Sequence, residues 1–411
     1  MKILIYAHLF PPSKGGIQYS NLEIIKGLKL LGHDIRVIAC HNKGIKQFVC
    51  DFPYAVRILP KWQFTNMYSL NRRGLLNWIF LPLYCYLITG EVKKFQPDVA
   101  LVTDETGNAF WGAMSRFHHI PYVSYWSVPV STPWRSNDSN RVVGKIYQSI
   151  MGLLLKWLWQ SYTGAESILV VSNSTKEQLI REKPEISRKI KIVPRSIDDQ
   201  IFQKPVDRNE IKKIQKNLGI ERENFVLLSV TRLTRKKGVD DVIKALAILD
   251  GDELQNIKYV VVGSGRDERY LKQLAHSLNL STNVIFVGTM EHIELISYYD
   301  MCDIFILPSR RGVSESFGRV FVEAASRCKP SIGVDEGGMS DIIQNGSTGF
   351  LTRSGNSQDI KNIIKYSLTN REQIMSMGIE AAKKAKMNYT CLAVAKKFDK
   401  YLRMAVGETV D

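Results

Sequence analysis

One alternation of short apolar runs with helical spacing occurs twice along this chain, and that repeat constrains its fold more than any other feature. Ile3-Leu4-Ile5-Tyr6 reads as a buried strand, residues 8–16 as a turn-rich loop, 17–31 as a helix by its apolar spacing, and 34–39 as a strand again. That is a βαβ unit. Further strands are expected at Val99-Ala100-Leu101-Val102, Tyr122-Val123-Ser124-Tyr125 and Ile168-Leu169-Val170-Val171, the last running into the helix N-cap cluster Ser172-Asn173-Ser174. Strands apolar on both faces and separated by helices imply a parallel sheet.

After about residue 203 the pattern restarts. Residues 225–230 read as strand, apolar positions 239, 242, 243, 246 and 249 mark a helix, and Tyr259-Val260-Val261-Val262 is the next strand. Later strands are expected at 283–287 and 303–307, with helices near 319–327 and 358–367. The stretch 204–218 is charged, contains Pro205 and suits a linker followed by a polar helix. The expected class is α/β, with two doubly wound parallel-sheet domains, and the 411 residues suffice for roughly two domains.

With 45% hydrophobic and 23% charged residues, disorder and fibrous repeats are excluded. No apolar stretch reaches the roughly 18 to 20 residues needed to span a bilayer. Residues 75–88 come nearest, but Asn77 and Pro82 interrupt them, so they read as an interfacial or core segment. The apolar run at 3–10 stops at Pro11-Pro12 without a small-residue cleavage pattern, which marks a first strand rather than a signal peptide. Six cysteines include no CxxC pair and no zinc spacing, so a reducing cytoplasm and no structural metal are expected.

The motifs are densest between 308 and 350. Pro308-Ser309 is followed by Glu315-Ser316-Phe317-Gly318, then Glu323-Ala324, Gly337-Gly338 and Asp341. Glu315 stands in a polar turn. Glu323 stands among Val320, Phe321, Val322 and Ala324, where an unpartnered carboxylate is costly, so it is expected to meet a specific partner. Were both on one helix they would be about 12 Å apart, too far for the pair of a retaining glycosidase, at roughly 5 Å. Two readings stay open on the residues alone: solvated charges at chance spacing, or carboxylates gripping two ends of one long ligand such as a nucleoside diphosphate sugar. In the second, the amides of Phe317 and Gly318 would face the phosphates.

Thr231-Arg232-Leu233-Thr234-Arg235-Lys236-Lys237-Gly238 follows the strand 225–230, where ligands of open α/β sheets bind. Arg232 and Lys237 could clamp a diphosphate, one by its fork and the other as a point charge; Arg235 and Lys236 read as a solvated basic turn. Gly15-Gly16 in the first loop would let backbone approach a phosphate or sugar. Gly263-Ser264-Gly265 resembles a dinucleotide fingerprint but has Glu268 at its third glycine position and no acid ending the strand at 283–287, which argues against a nicotinamide enzyme. No GxxxxGK[ST] occurs. Asp250-Gly251-Asp252, the only DxD, lies between a helix and a strand and reads as a turn, so a DxD metal site is disfavoured.

At these residues the chain resembles the GT-B-fold retaining glycosyltransferases of family 4. The resemblance covers essentially the whole chain and rests on Gly15-Gly16, Arg232 with Lys237, Val262-Gly263-Ser264-Gly265, Val284 to Gly288, Pro308-Ser309, Glu315 with Glu323, and Gly337-Gly338. It implies two Rossmann-like domains facing across a cleft: 1–203 for the acceptor, 204–385 for the nucleotide sugar, and a helix over 386–411 crossing back to the first. By the same resemblance Arg232 and Lys237 bind the diphosphate, catalytic Glu315 the donor sugar, Glu323 the ribose, Gly15 and Gly16 the donor phosphate or sugar, and Phe286 lies beside the base. The implied reaction is metal-independent and needs no cofactor, moving a sugar from a UDP- or GDP-sugar to a hydroxyl with retention.

Three departures stand out. Tyr125-Trp126-Ser127-Val128 replaces a segment that often holds a His, Arg195-Ser196-Ile197-Asp198 replaces Asn-Gly-Val-Asp, and Asp341 stands where Glu is commoner.

Charge bears on the acceptor. The chain carries 56 Lys and Arg against 40 Asp and Glu, formally +16, of which +12 belongs to residues 1–205. That half also holds Arg72-Arg73 before Leu75-Leu76-Asn77-Trp78, then Lys93-Lys94, and a Trp-bearing run at 153–159. These fit either core helices or a surface docking on anionic lipid. The second implies a lipid-linked saccharide acceptor and a peripheral place at the cytoplasmic face of the plasma membrane, in polysaccharide or lipopolysaccharide synthesis. Nucleotide-sugar epimerisation is the alternative on this fold. No helix-turn-helix, RRM, KH or zinc-finger pattern accompanies the charge, so nucleic acid is not expected as a partner.

Overall fold

The computed structural model describes residues 1–12, 16–40, 42, 44–50, 55–59, 81–103, 105–126, 163–199, 203, 205, 207–310 and 316–410. The chain divides into two compact units, Met1–Ser196 with Cys391–Asp411, and Ile197–Thr390.

In the first unit the strands are β1 (Lys2–Ala7), β2 (Asp34–Cys40), β3 (Ala55–Leu59), β4 (Val99–Val102), β5 (Tyr122–Trp126), β6 (Ser167–Val170) and β7 (Ile190–Ile192). They form one sheet in the order β3-β2-β1-β4-β5-β6-β7, with every neighbouring pair parallel. Ile3 of β1 aligns with Ile35 of β2 on one side and Val99 of β4 on the other. The central strands are buried on both faces, which is why they read as unbroken apolar runs. Helices α1 (Gly16–Leu30), α2 (Ile45–Cys50), α3 (Leu81–Phe95), α4 (Glu105–His118) and α5 (Asn173–Glu182) connect them. Ser172 caps α5 by accepting from the Thr175 amide. The C-terminal helix Cys391–Ala405 packs on α1 at Gly27, where a Cβ would stand 2.6 Å from that of Ala395.

The second unit repeats the plan. Its sheet runs β10-β9-β8-β11-β12-β13, again all parallel, from β8 (Phe225–Val230), β9 (Ile257–Val262), β10 (Val284–Gly288), β11 (Ile304–Ile306), β12 (Ser331–Val334) and β13 (Gly349–Thr352). Its helices are α6 (Arg208–Asn217), α7 (Val239–Ala247), α8 (Gly251–Leu254), α9 (Glu268–Ser277), α10 (Leu295–Met301), α11 (Arg319–Ser326), α12 (Met339–Ile342), α13 (Ser357–Thr369) and α14 (Arg371–Tyr389). The core gathers Leu227, Val242, Ile243, Tyr259 and Ile306 with Ile360 and Ile364.

Four strands escape the apolar patterning. In β3 polar Arg57 interrupts the run, β7 places Lys191 between two isoleucines, β12 contains Gly333, and β13 opens on Gly349. Gly349 is required there: a Cβ would lie 2.1 Å from the Ser331 carbonyl oxygen of the adjacent strand. Asp250 of the DxD caps α8 in a capping box with Glu253. Among the described residues no helix is long and apolar enough to cross a membrane.

Candidate functional site

In the second sheet the strand order reverses between β8 and β11, and a crevice at the carboxyl ends of those strands is where an α/β sheet takes its ligand. An open cavity of about 700 Å³ lies there, walled in part by Thr231, Arg232, Leu307 and Val320. Lys236, Lys237 and Arg266 complete a set of four cationic residues on its lining. Arg232 and Lys236 are exposed and Lys237 is half-buried. Four positive groups around one concavity suit a polyanion, with arginine forks and lysine ammonium groups offering charge-assisted hydrogen bonds. Of the basic turn, Arg235 alone turns elsewhere: its guanidinium stacks 4.3 Å from the Tyr270 ring centroid and its amide donates to Asp267 Oδ2 at 2.7 Å.

Glycines fix this wall by permitting backbone to touch backbone. Gly263 has φ of +129°, and a Cβ there would fall 1.9 Å from the Thr231 carbonyl oxygen; the Thr231 amide donates to Val262 O at 3.0 Å. The loop carrying Arg232 is thereby laid against the Gly263-Ser264-Gly265 turn, and the Leu233 amide donates to Ser264 O at 2.9 Å. The Arg310 amide donates to Lys236 O at 2.9 Å, while its guanidinium holds buried Asp240 and Asp241 at the start of α7.

Val320, the second residue of α11, lines the cavity, and Gly318, at φ of +75°, precedes the helix. Phe317 is buried edge-on against Tyr389, ring centroids 5.7 Å apart. Gly338 abuts this entry: its Cβ would lie 2.4 Å from Ser316 O and 2.7 Å from Phe317 Cα. Residues 316–318 are not helical, so α11 does not run continuously back from Glu323 through them.

Glu323 is buried and accepts three side-chain hydrogen bonds. Tyr299 Oη donates to Oε2 at 3.0 Å, and Arg319 Nε at 3.1 Å and His292 Nε2 at 3.2 Å both lie on Oε1. Burial alone would raise its pKa, but the His292 hydrogen bond and the Arg319 charge outweigh burial and hold it below the ordinary carboxylate value. The Tyr299 hydroxyl, buried against that carboxylate, is pushed well up. A carboxylate has about four lone-pair sites, so three protein donors leave one for a ligand.

The structure thus brings Arg232, Lys237 and Gly263 together with the start of α11, where Phe317 and Gly318 lie. Glu323 and Phe286 are not on the cavity lining; Phe286 is half-buried on β10 with the Lys272 ammonium 5.7 Å from its ring centroid. Glu315 and Gly15 lie outside the described residues, as do Arg72, Arg73, Ser127 and the run at 153–159. Gly16 opens α1. In the first unit, Asn21 Nδ2 donates to Leu9 O and Asn42 Nδ2 to Phe10 O, each at 2.8 Å, tying down the loop after β1.

Sequence reasoning did not single out Arg310, Asp240, Asp241, Arg266, His292, Tyr299 or Arg319. The Asp240-Asp241 pair at a helix start was the visible signal, since acidic residues favour that end; nothing in the sequence pointed to Arg310 as their partner.

Two parallel-sheet Rossmann-like units, the second with a cationic cavity at its switch point, define a GT-B protein. The family model for Glycosyl transferases group 1 matches residues 210–384, and that for Glycosyltransferase Family 4 matches residues 14–201. The chain belongs to the group 1 glycosyltransferases of GT-B fold. It is 23% identical over 376 residues to the alpha-monoglucosyldiacylglycerol synthase of Acholeplasma laidlawii, covering 89% of this chain and 87% of that protein. Among solved structures, Anabaena HepE in complex with UDP superposes with a TM-score of 0.77 at 20% identity, covering 98% of this chain and 100% of that one. The lipopolysaccharide outer core galactosyltransferase WaaB in its apo form gives 0.69 at 16% identity, covering 98% and 99%.

Proposed function

We propose that this glycosyltransferase moves a hexosyl group from a UDP- or GDP-sugar to a hydroxyl of a lipid-linked saccharide, with retention and without a metal, in cell-surface polysaccharide or lipopolysaccharide synthesis. The observation that carries the proposal is the set of four cations, Arg232, Lys236, Lys237 and Arg266, on one cavity at the switch point. They supply the positive charge that a departing diphosphate needs. HepE with UDP, the diacylglycerol-linked product in the name of the Acholeplasma relative, and the lipopolysaccharide galactosyltransferase support the donor and acceptor classes.

In this scheme Arg232 and Lys237 hold the diphosphate, with the Phe317 and Gly318 amides at the start of α11 beside it. Glu315 accepts from the donor sugar, and Glu323 accepts from one ribose hydroxyl through its remaining lone pair. Phe286 packs beside the base, and Gly15 and Gly16 close on the donor. The bond from the anomeric carbon to the phosphate oxygen breaks, the acceptor oxygen bonds to that carbon on the same face, and the departing phosphate oxygen takes the acceptor proton. The domains divide the work as 1–203 for acceptor, 204–385 for donor and 386–411 as the returning helix, and the enzyme works peripherally at the cytoplasmic face of the membrane. The relatives' names are those of transferases, which does not favour the epimerase alternative.

A thermal-shift series with UDP, GDP and their sugars tests the donor class, since a ligand that binds only the folded state raises its melting temperature. A rise with one nucleotide family, and loss of transfer in Glu315→Ala, is the expected result. No shift with any nucleotide would overturn the proposal.

A further inference from the structure

Outside the cavity, α3 (Leu81–Phe95) turns one face to solvent. At about 100° per residue, Leu83, Tyr86, Gly90, Lys93 and Lys94 fall on a single stripe, and each is exposed. Tyr86 is 75% exposed and Leu83 41%. The opposite side carries Ile88, Val92 and Phe95 into the core of the first unit. The helix's single carboxylate, Glu91, is buried and bound by Arg36 at 3.3 Å and Arg57 at 3.5 Å. The outward stripe is therefore apolar and aromatic at one end, cationic at the other, and free of acid.

A second element extends it. Phe117, near the end of α4 (Glu105–His118), is also 75% exposed. The neighbouring His118 ring lies 4.9 Å from the Phe117 ring, and its Nε2 shares a hydrogen bond of 3.2 Å with Thr89 Oγ1 of α3. Thr89 borders the Tyr86 and Lys93 edge of the stripe, and exposed Phe117, next to His118 on α4, flanks that edge. Two exposed aromatic rings, one leucine and two lysines then share one surface.

We infer that this surface, formed by Leu83, Tyr86, Lys93 and Lys94 of α3 with Phe117 of α4, seats the first unit on an anionic lipid bilayer. Charge complementarity selects the occupant. Lysine stems bury their methylenes while their charges meet lipid phosphates, and tyrosine and phenylalanine enter the headgroup boundary. The +12 carried by residues 1–205 adds long-range attraction of the same sign. The inference rests on the lipid-linked acceptor proposed above and adds the residues that would present the enzyme to it.

The test is sedimentation of the full chain with vesicles of phosphatidylcholine alone or mixed with phosphatidylglycerol. Variants Lys93→Glu/Lys94→Glu and Tyr86→Ser/Phe117→Ser are compared with the parent, each also checked by thermal shift with UDP- and GDP-sugars. The parent is expected to pellet with the anionic vesicles and to be released by salt. Each lost basic side chain should weaken partitioning about fivefold, and both variants should keep their melting temperature and nucleotide response. Equal pelleting of parent and variants, equal binding to neutral vesicles, or stronger salt-sensitive retention on nucleic acid than on anionic vesicles would overturn the inference. Failure of the parent to respond to any nucleotide sugar, with vesicle binding intact, would instead strike the donor proposal alone.

Discussion

Arg310 grips two consecutive carboxylates 70 and 69 residues earlier in the chain: its Nη2 lies 2.6 Å from both Asp240 Oδ2 and Asp241 Oδ1, and its Nε 2.9 Å from Asp241 Oδ2. Both carboxylates are buried and Arg310 is partly so, and these hydrogen bonds raise the arginine's pKa further. The clamp joins the segment after β11 to the start of α7, and the Arg310 amide reaches Lys236 O. Arg310→Ala would leave two buried acids without their main donor, a change expected to cost about 3 kcal/mol. Arg310→Lys keeps a charge but loses the fork, and should fall between. Urea unfolding measures both, and nucleotide affinity should decline in the same order because the cation-bearing turn loses its anchor.

Arg232 and Lys237 should behave differently from that anchor. Arg232 is exposed, so Arg232→Ala should move stability by no more than about 0.5 kcal/mol. If it neutralises a leaving diphosphate, its removal should lower the transfer rate about 100-fold, and so should Lys237→Ala. Steady-state kinetics with the donor varied, beside unfolding curves, separates the two effects. Near-normal rates in both variants would remove them from the site.

The overall plan was legible in the sequence because both sheets are parallel and buried. Their central strands, such as Phe225–Val230, must be apolar on both faces, and that leaves an unbroken run. Edge strands lack that constraint, which is why Ala55–Leu59 and Gly349–Thr352 did not stand out. At the site, Arg232 and Lys237 were visible through their place after a strand. The partners of Glu323 were less so: Arg319 stands four residues earlier on the same helix, but His292 and Tyr299 come from a loop and another helix and meet the carboxylate only after folding. Spacing could state that this buried acid needs donors without naming His292 or Tyr299.

Acid titration should expose those donors. Glu323 has a folded pKa below its unfolded value, near 4.3. Its contribution is thus fully present above the unfolded pKa and is lost as pH falls through the folded one. The stability difference between the parent and Glu323→Gln should therefore narrow as pH falls below about 4. His292→Ala removes one of the groups holding the pKa down, so its acid limb should be smaller than the parent's and level off at higher pH. Chemical unfolding at stepped pH measures both curves; coincident limbs would mean that His292 does not support the ionised carboxylate.

Two glycines with left-handed backbone separate strain from collision at the cavity. Gly219 has φ of +64° and Gly238 φ of +72°, so an alanine at either meets the same local conformational penalty, about 1 kcal/mol. Around Gly219 no atom lies within 4 Å of a built Cβ, whereas at Gly238 that Cβ would stand 2.0 Å from the Pro308 carbonyl oxygen. Gly219→Ala should therefore cost only the strain. Gly238→Ala must also push apart the segment after β11 and the turn bearing Lys237, adding about 1 to 3 kcal/mol. It should weaken nucleotide binding as well, because Lys237 immediately precedes the displaced residue. Unfolding free energies and nucleotide-induced thermal shifts for the two variants make the comparison. Equal stability losses would show that the loop at Pro308 yields freely, and that contact with Gly238 does not set the position of Lys237.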